Sequence, residues 1–249
     1  MQKHQFDYAW RTDTGRVRMS NEDAVSVYPD TGLVIVADGI GGASAGEVAS
    51  SLAIQTISEC FHGGKSLPVD KEDALRRAEE AVEAANRVIW ESARMTPRYA
   101  GMGTTVVVGY AGLDWLVFAH VGDSRLYRLR DGELVQLTRD HSLIQEVVDQ
   151  GFFPTLEDAQ RYGINGNIVT RALGTANPVA VDSGDVDLRP GDLFLFCTDG
   201  LTGMVADEGI LRVLSERGKN LDGVSRALVD LACEGGGLDN ITIALVRVS

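Results

Sequence analysis

Four aspartates stand where hard-metal chemistry could be done: Asp38, Asp123, Asp199 and Asp239. Each lies at or just beyond the end of an apolar run, or beside a turn residue. They read Val34-Ile35-Val36-Ala37-Asp38-Gly39, His120-Val121-Gly122-Asp123-Ser124, Phe194-Leu195-Phe196-Cys197-Thr198-Asp199-Gly200 and Gly237-Leu238-Asp239-Asn240-Ile241. A carboxylate at a strand's mouth with glycine nearby is held rigidly while the backbone stays open to a ligand. Their wide spacing along the chain points to one site that only folding assembles. Oxygen ligands of this kind suit Mg²⁺ or Mn²⁺ rather than zinc or copper.

The elements that must position these residues show as apolar patterns. Strands are expected over 6–12, 24–28, 33–37, 104–110, 116–121, 126–129, 134–137, 181–186, 193–197 and 241–248. Hairpin-like turns are expected at Asp30-Thr31-Gly32, Ala111-Gly112-Leu113-Asp114, Asp131-Gly132 and Arg189-Pro190-Gly191. One helix begins at Ser44, with Glu47 completing a capping box, and runs to about Phe61. A second runs from Asp70 to about Met95, its stripe Leu75, Ala78, Val82, Ala85 and Ile89 keeping helical spacing. Further helices are expected over 142–150, 207–217 and 221–233. Hairpin-linked strands favour antiparallel sheets covered by amphipathic helices, not a doubly wound parallel sheet. Between 150 and 168 the pattern dissolves, and a mobile flap is expected there.

The chain has 249 residues, 44% of them hydrophobic and 24% charged, as in an ordinary globular protein. No linker or repeat offers a place to cut it, so a single domain over 1–249 is expected. With 23 basic and 36 acidic residues the net charge is −13, which argues against nucleic acid or an anionic membrane as partner. A local arginine in a metal site could still take an anionic substrate. Cys60, Cys197 and Cys233 are widely spaced in apolar contexts, as free thiols in a reducing compartment would be. The segment Met1-Gln2-Lys3-His4-Gln5-Phe6-Asp7 lacks a signal-peptide apolar region, and no run approaches membrane-spanning length. A cytoplasmic monomer is the expectation.

Several familiar chemistries fail on the residues. From Gly41 to Gly46 the spacing matches a phosphate loop, but Glu47 stands where lysine is needed. Gly39 and Gly41 open a dinucleotide fingerprint that Ser44 ends wrongly. Asp185-Val186-Asp187-Leu188 looks like the start of an aspartyl-phosphate motif, yet Arg189 follows and the segment reads as strand. His4, His62, His120 and His141 have no zinc-hydrolase spacing, and no nucleophile elbow is present. Asp140-His141 could do acid–base chemistry, or the histidine could cap the following helix.

Eight blocks, taken together and in order, resemble the metal-dependent protein serine/threonine phosphatases of type 2C. They are Arg18 with Asn21-Glu22-Asp23, Ala37-Asp38-Gly39-Ile40-Gly41-Gly42, Gly101-Met102-Gly103-Thr104-Thr105 and Val121-Gly122-Asp123-Ser124-Arg125. The rest are Leu137-Thr138-Arg139-Asp140-His141-Ser142, Ile168-Val169-Thr170-Arg171-Ala172-Leu173-Gly174, Cys197-Thr198-Asp199-Gly200-Leu201 and Asp239-Asn240-Ile241-Thr242. Each is weak alone, but they span nearly the whole chain.

The resemblance implies an α+β fold, an α-β-β-α sandwich of two stacked antiparallel sheets flanked by helices. It implies two core Mn²⁺ or Mg²⁺ ions, with Asp38 bridging them, the Gly39 carbonyl on one, and Asp199 and Asp239 completing the other. Asp123 matches the position of a third, weaker ion. Arg18 would clamp the phosphate, while Glu22 and Asp23 would act in catalysis by holding metal-bound waters. A metal-bridging hydroxide would then attack phosphorus in line, with no phosphoenzyme. The substrates implied are phosphoserine and phosphothreonine proteins. Ile40 stands where many eukaryotic members carry a histidine acid, which is similar to the bacterial branch, whose partners include eukaryotic-like serine/threonine kinases. Two competing readings are a catalytically silent binding module and a regulatory phosphatase of anti-sigma-factor antagonists.

Overall fold

The protein is described from a computed structural model covering residues 6–41, 45–63, 66–217 and 220–249. Its strands are β1 (Phe6–Asp13), β2 (Ala24–Tyr28), β3 (Leu33–Ala37), β4 (Gly39–Ile40), β5 (Gly103–Thr104), β6 (Val106–Ala111), β7 (Trp115–Val121), β8 (Arg125–Arg130), β9 (Glu133–Gln136), β10 (Asp182–Asp187), β11 (Leu193–Cys197) and β12 (Ile241–Val248). Its helices are α1 (Ala45–His62), α2 (Lys71–Met95), α3 (Leu143–Asp149), α4 (Leu156–Arg161), α5 (Asp199–Thr202), α6 (Asp207–Arg217) and α7 (Leu221–Glu234). One five-stranded sheet has the order β1-β12-β11-β8-β9 and the other β10-β7-β6-β3-β2. Every pairing in both is antiparallel.

Period-two alternation explains why the sheets stack and why helices cover them. In β3, Val34 and Val36 face the other sheet, while Leu33, Ile35 and Ala37 face α1 and α2. In β11, Phe194 and Phe196 fill the space between sheets, while Leu193, Leu195 and Cys197 pack with residues of α6 and α7. The result is the expected four-layer α-β-β-α sandwich. Helix α2 starts as its sequence requires, with the Asp70 side chain accepting from the Asp73 N–H. The capping box proposed at Ser44 lies outside the described residues.

Three local expectations need correction. Arg189-Pro190-Gly191 is not a hairpin turn: it carries the chain from β10 in one sheet to β11 in the other. Asp192 anchors that crossing, receiving Arg130 Nε at 2.7 Å and the Arg189 N–H at 2.8 Å. By contrast, Asp131 (φ 52°) and Gly132 (φ 83°) form a true two-residue hairpin turn between β8 and β9. The strand expected over 104–110 is broken at Thr105, whose N–H turns to the Asp38 carbonyl, leaving β5 to pair with β4. The segment 150–168 is not featureless, because Thr155 caps α4 and Ala159 is buried. Short α5 was also missed, since a single turn leaves no helical period to read.

The two sheets pack closely where β6 lacks a side chain at Gly109. A Cβ on Gly109 would sit 2.3 Å from Phe196 Cζ across the sandwich. Gly109→Ala is therefore expected to cost about 1–3 kcal/mol by overpacking. Thermal unfolding should register this as a fall of about 2–4 °C per kcal/mol. An unchanged melting temperature would contradict the stacking.

Candidate active site

Asp38 follows β3, Asp123 follows β7 and Asp199 follows β11, while Asp23 precedes β2 and Asp239 precedes β12. Because β2 is antiparallel to β3 and β12 to β11, these five positions fall at one end of the sandwich. Folding thus brings together residues that the chain keeps far apart. Arg18, Asp38, Gly39, Asp123, Asp199 and Asp239 line a cavity of about 540 Å³. Asp123, Asp199 and Asp239 also border a second cavity of about 210 Å³, beside α3 and α4.

Each carboxylate is held through its backbone. The Asp38 N–H donates to Thr105 Oγ1 at 3.2 Å, and the Asp38 carbonyl accepts from the Thr105 N–H at 2.9 Å and Thr104 Oγ1 at 2.8 Å. The Thr198 N–H donates to the Thr242 carbonyl, and the Thr242 N–H returns to Thr198 Oγ1 at 3.0 Å, fixing the start of α5 against β12. Thr198 Oγ1 also donates to Asp23 Oδ2 at 2.9 Å. Asn240 ties the amino-terminal loop in place: its amide donates to the carbonyls of Thr14 and Ser20, and its Oδ1 accepts the Glu22 N–H at 2.8 Å.

Arg18 donates to Asp239 Oδ2 at 2.7 Å with its side chain 54% exposed, so its fork is at the rim and accessible. Asp239 Oδ1 accepts the Asn240 N–H at 2.8 Å. The Glu22 carboxylate lies against the first turn of α1, where a Cβ on Gly46 would meet Glu22 Oε2 at 2.2 Å. Asp23 stands behind the cavity wall rather than on it, its Oδ1 buried.

The electrostatics of this cluster are unfavourable without a cation. Burial first, then the charges of Asp23, Asp199, Asp123 and Asp239, raise Asp38 well above the usual carboxylate range. Burial raises Asp23 to about 7, with Asp199 and Asp239 adding to it. Asp123 is likewise raised to about 7, by burial and then by Asp199. Asp199 is raised by burial and by Asp239, with the Asp38 carboxylate within hydrogen-bonding reach. Asp23 Oδ1 and Asp199 Oδ1 are buried with no hydrogen-bond partner. An all-oxygen set of crowded carboxylates with unsatisfied atoms fits a hard divalent cation. Asp38, Asp123, Asp199, Asp239 and the Gly39 carbonyl are the oxygen donors this cavity could offer to such an ion.

The sequence missed the scaffolding residues. Thr198, Asn240 and Thr242 lay inside quoted motifs, but nothing in their types announced which backbone they bind. Asn167, from the segment expected to be patternless, borders both cavities. His141 is neither a helix cap nor an available acid. Ser142 caps α3, and the His141 ring accepts the Gly122 N–H at Nδ1, 2.9 Å, with Nε2 against Asp182 at 3.2 Å.

Raised carboxylate pKa values set the sign of a pH effect on the metal-free protein. Between the unfolded value of about 3.9 and the folded values, the folded state binds more protons, so its stability falls as pH rises. In chelator, the melting temperature should fall from pH about 5 to about 8, and Mn²⁺ should reverse the loss. A melting temperature indifferent to both would count against a cation-binding carboxylate cluster.

Known proteins resemble this chain in sequence and fold. A family model described as protein phosphatase 2C matches residues 15–231. The serine/threonine protein phosphatase PstP of Mycobacterium tuberculosis is 39% identical over 97% of this chain, and the chain spans 45% of that relative's length. The serine/threonine phosphatase stp of Listeria monocytogenes is 37% identical, covering 96% of this chain and 94% of that one. Among solved structures, the catalytic domain of PstP in complex with two manganese ions matches with TM-score 0.85 and 37% identity over 98% of both chains. The Streptococcus agalactiae serine/threonine phosphatase matches with TM-score 0.90 and 36% identity over 98% of this chain and all of the other (100%). With its fold, its clustered carboxylates and these likenesses, the chain belongs to the protein phosphatase 2C family.

Proposed function

We propose that this chain is a Mn²⁺- or Mg²⁺-dependent phosphatase that hydrolyses phosphoserine and phosphothreonine in proteins, with residues 1–249 forming one catalytic domain. The observation that carries this reading is the meeting of Asp38, Asp123, Asp199 and Asp239 in one cavity with the Arg18 guanidinium at its rim. Bound divalent ions would supply Lewis acidity toward the phosphoryl oxygens and lower the pKa of water. Arg18 presents a fork that matches two phosphate oxygens and cannot lose its charge. Asp239 holds that fork at 2.7 Å before substrate arrives. Glu22 and Asp23 act from behind the cavity wall, as acceptors for water.

Ile40 gives the leaving oxygen no acid at the position where many eukaryotic members carry histidine, and His141 has no free ring nitrogen to replace it. Kinase-phosphorylated proteins, including a eukaryotic-like serine/threonine kinase, are the proposed partners, and the cytoplasm the proposed location. No helix among the described residues is long and apolar enough to cross a membrane.

Hydrolysis of a phosphothreonine peptide should require Mn²⁺ or Mg²⁺ and cease in EDTA. Asp38→Asn and Asp199→Asn should each lower kcat/KM by about 10²-fold or more. Arg18→Ala, losing a charge-assisted contact worth about 1.5–3 kcal/mol, should lower it by roughly 10–150-fold. Full activity in EDTA, or in either aspartate variant, would sink the metal-dependent reading. A metal-loaded protein inert on every phosphopeptide would instead favour a binding module.

A further inference from the structure

His120, His141 and Asp182 form a second cluster of polar side chains whose ligand atoms lie within 4.8 Å of one another. Two imidazoles and a carboxylate suit a zinc-like ion, but both ring nitrogens of His141 are already engaged by neighbouring groups. A neutral imidazole has one acceptor nitrogen, and both the Gly122 N–H at Nδ1 and the Arg171 guanidinium at Nε2 can only donate. One of these two contacts is therefore proximity without a hydrogen bond. With Asp182 placed to accept from Nε2 at 3.2 Å, we assign the proton to Nε2 and the lone pair to Nδ1. Metal bound at Nε2 would have to displace that proton while Nδ1 still accepted. The Arg171 guanidinium also stands 2.9 Å from Nε2 and holds Asp182 Oδ1 at 2.7 Å.

We propose that His141 is a positioning residue for the Asp123 carboxylate, acting through the Gly122 peptide. The inference rests on the reading of Asp123 as a cation ligand. His141 and Gly122 clasp each other twice: Gly122 N–H to His141 Nδ1 at 2.9 Å, and His141 N–H to the Gly122 carbonyl at 3.0 Å. Gly122 has a φ of +106° and packs so closely that a Cβ would sit 2.5 Å from the Thr105 Cβ. This peptide ends β7, and the next residue, Asp123, starts the crossing to β8 in the other sheet. The direction of the Asp123 side chain is therefore set by how the Gly122 turn is held.

His141 is itself held by contacts to its ring and its backbone. His120 stacks on it with centroids 4.7 Å apart and planes 12° apart. Asp182 accepts its Nε2–H at 3.2 Å, and the Thr170 N–H donates to the His141 carbonyl at 2.9 Å. Arg171, which fixes Asp182, also lines the active-site cavity. Burial keeps the ring neutral by holding its pKa below the usual histidine value. Outer residues of this kind change metal affinity without touching the ion.

The test combines ring ¹⁵N NMR at neutral pH with calorimetric Mn²⁺ titration of the wild type, His141→Asn and His141→Leu. The wild-type ring should show Nε2 protonated and Nδ1 bare. His141→Leu, which removes the acceptor, should weaken the weakest Mn²⁺ site by about tenfold or more while leaving tighter sites within about threefold. His141→Asn, whose Oδ1 reaches the place of Nδ1, should restore that site to within about threefold of wild type. An Nδ1–H ring, equal behaviour of the two variants, or equal weakening of every site would overturn the proposal. If His141→Leu does not fold, the wild-type NMR signature and the His141→Asn affinity decide it. Wild type that binds only two Mn²⁺ ions would remove the Asp123 reading and this inference together, leaving the two-ion phosphatase intact.

Discussion

Repulsion among buried carboxylates is the constraint around which this molecule is organised. Asp23, Asp38, Asp123 and Asp199 are each pushed above the usual carboxylate range, by burial first and then by neighbouring carboxylates, Asp239 among them. Free side chains would relieve such a conflict by moving apart or reaching water. Here they cannot, because each is attached to backbone that the sandwich has already fixed. The strain can then be relieved by protonation or by cations, and only cations leave the carboxylates charged for chemistry near neutral pH.

The rigidity comes from ordinary packing placed close to the site. Phe194 and Phe196 of β11 pack between the sheets, and Asp199 lies two residues past the end of that strand. Thr104 and Thr105 hold the Asp38 backbone, and Thr105 Oγ1 meets Ser124 Oγ at 2.7 Å, linking the Asp38 turn to the Asp123 turn. Asn240 binds three backbone groups of the loop that carries Arg18, Glu22 and Asp23, so both ends of the described chain converge on one amide. Preorganisation of this sort lets charged groups act without rearranging during the reaction.

Much of this was legible before the fold was known. The apolar runs of β3, β11 and β12 and the long stripe of α2 marked sheets and helices with boundaries close to those observed. The reason is that these strands are buried on both faces, between the other sheet and the helices, while α2 buries a single stripe. The aspartates were legible because strand ends and adjacent glycines mark places where side chains can converge. What stayed hidden was relational. The crossing at Arg189-Pro190-Gly191 has the composition of a hairpin turn, and only sheet membership shows that it is not one. Short α4 and α5 have too few residues for a period. The pairing of His141 with Gly122 depends on a contact across 19 positions that no local pattern encodes.

The central claim is that these carboxylates form the metal centre, and anomalous diffraction at the manganese edge from crystals grown with Mn²⁺ tests it most directly. The account predicts the strongest peaks between Asp38, Asp199 and Asp239, with a weaker one at Asp123. No peak there, or the strongest peak beside His120, His141 and Asp182, would contradict it.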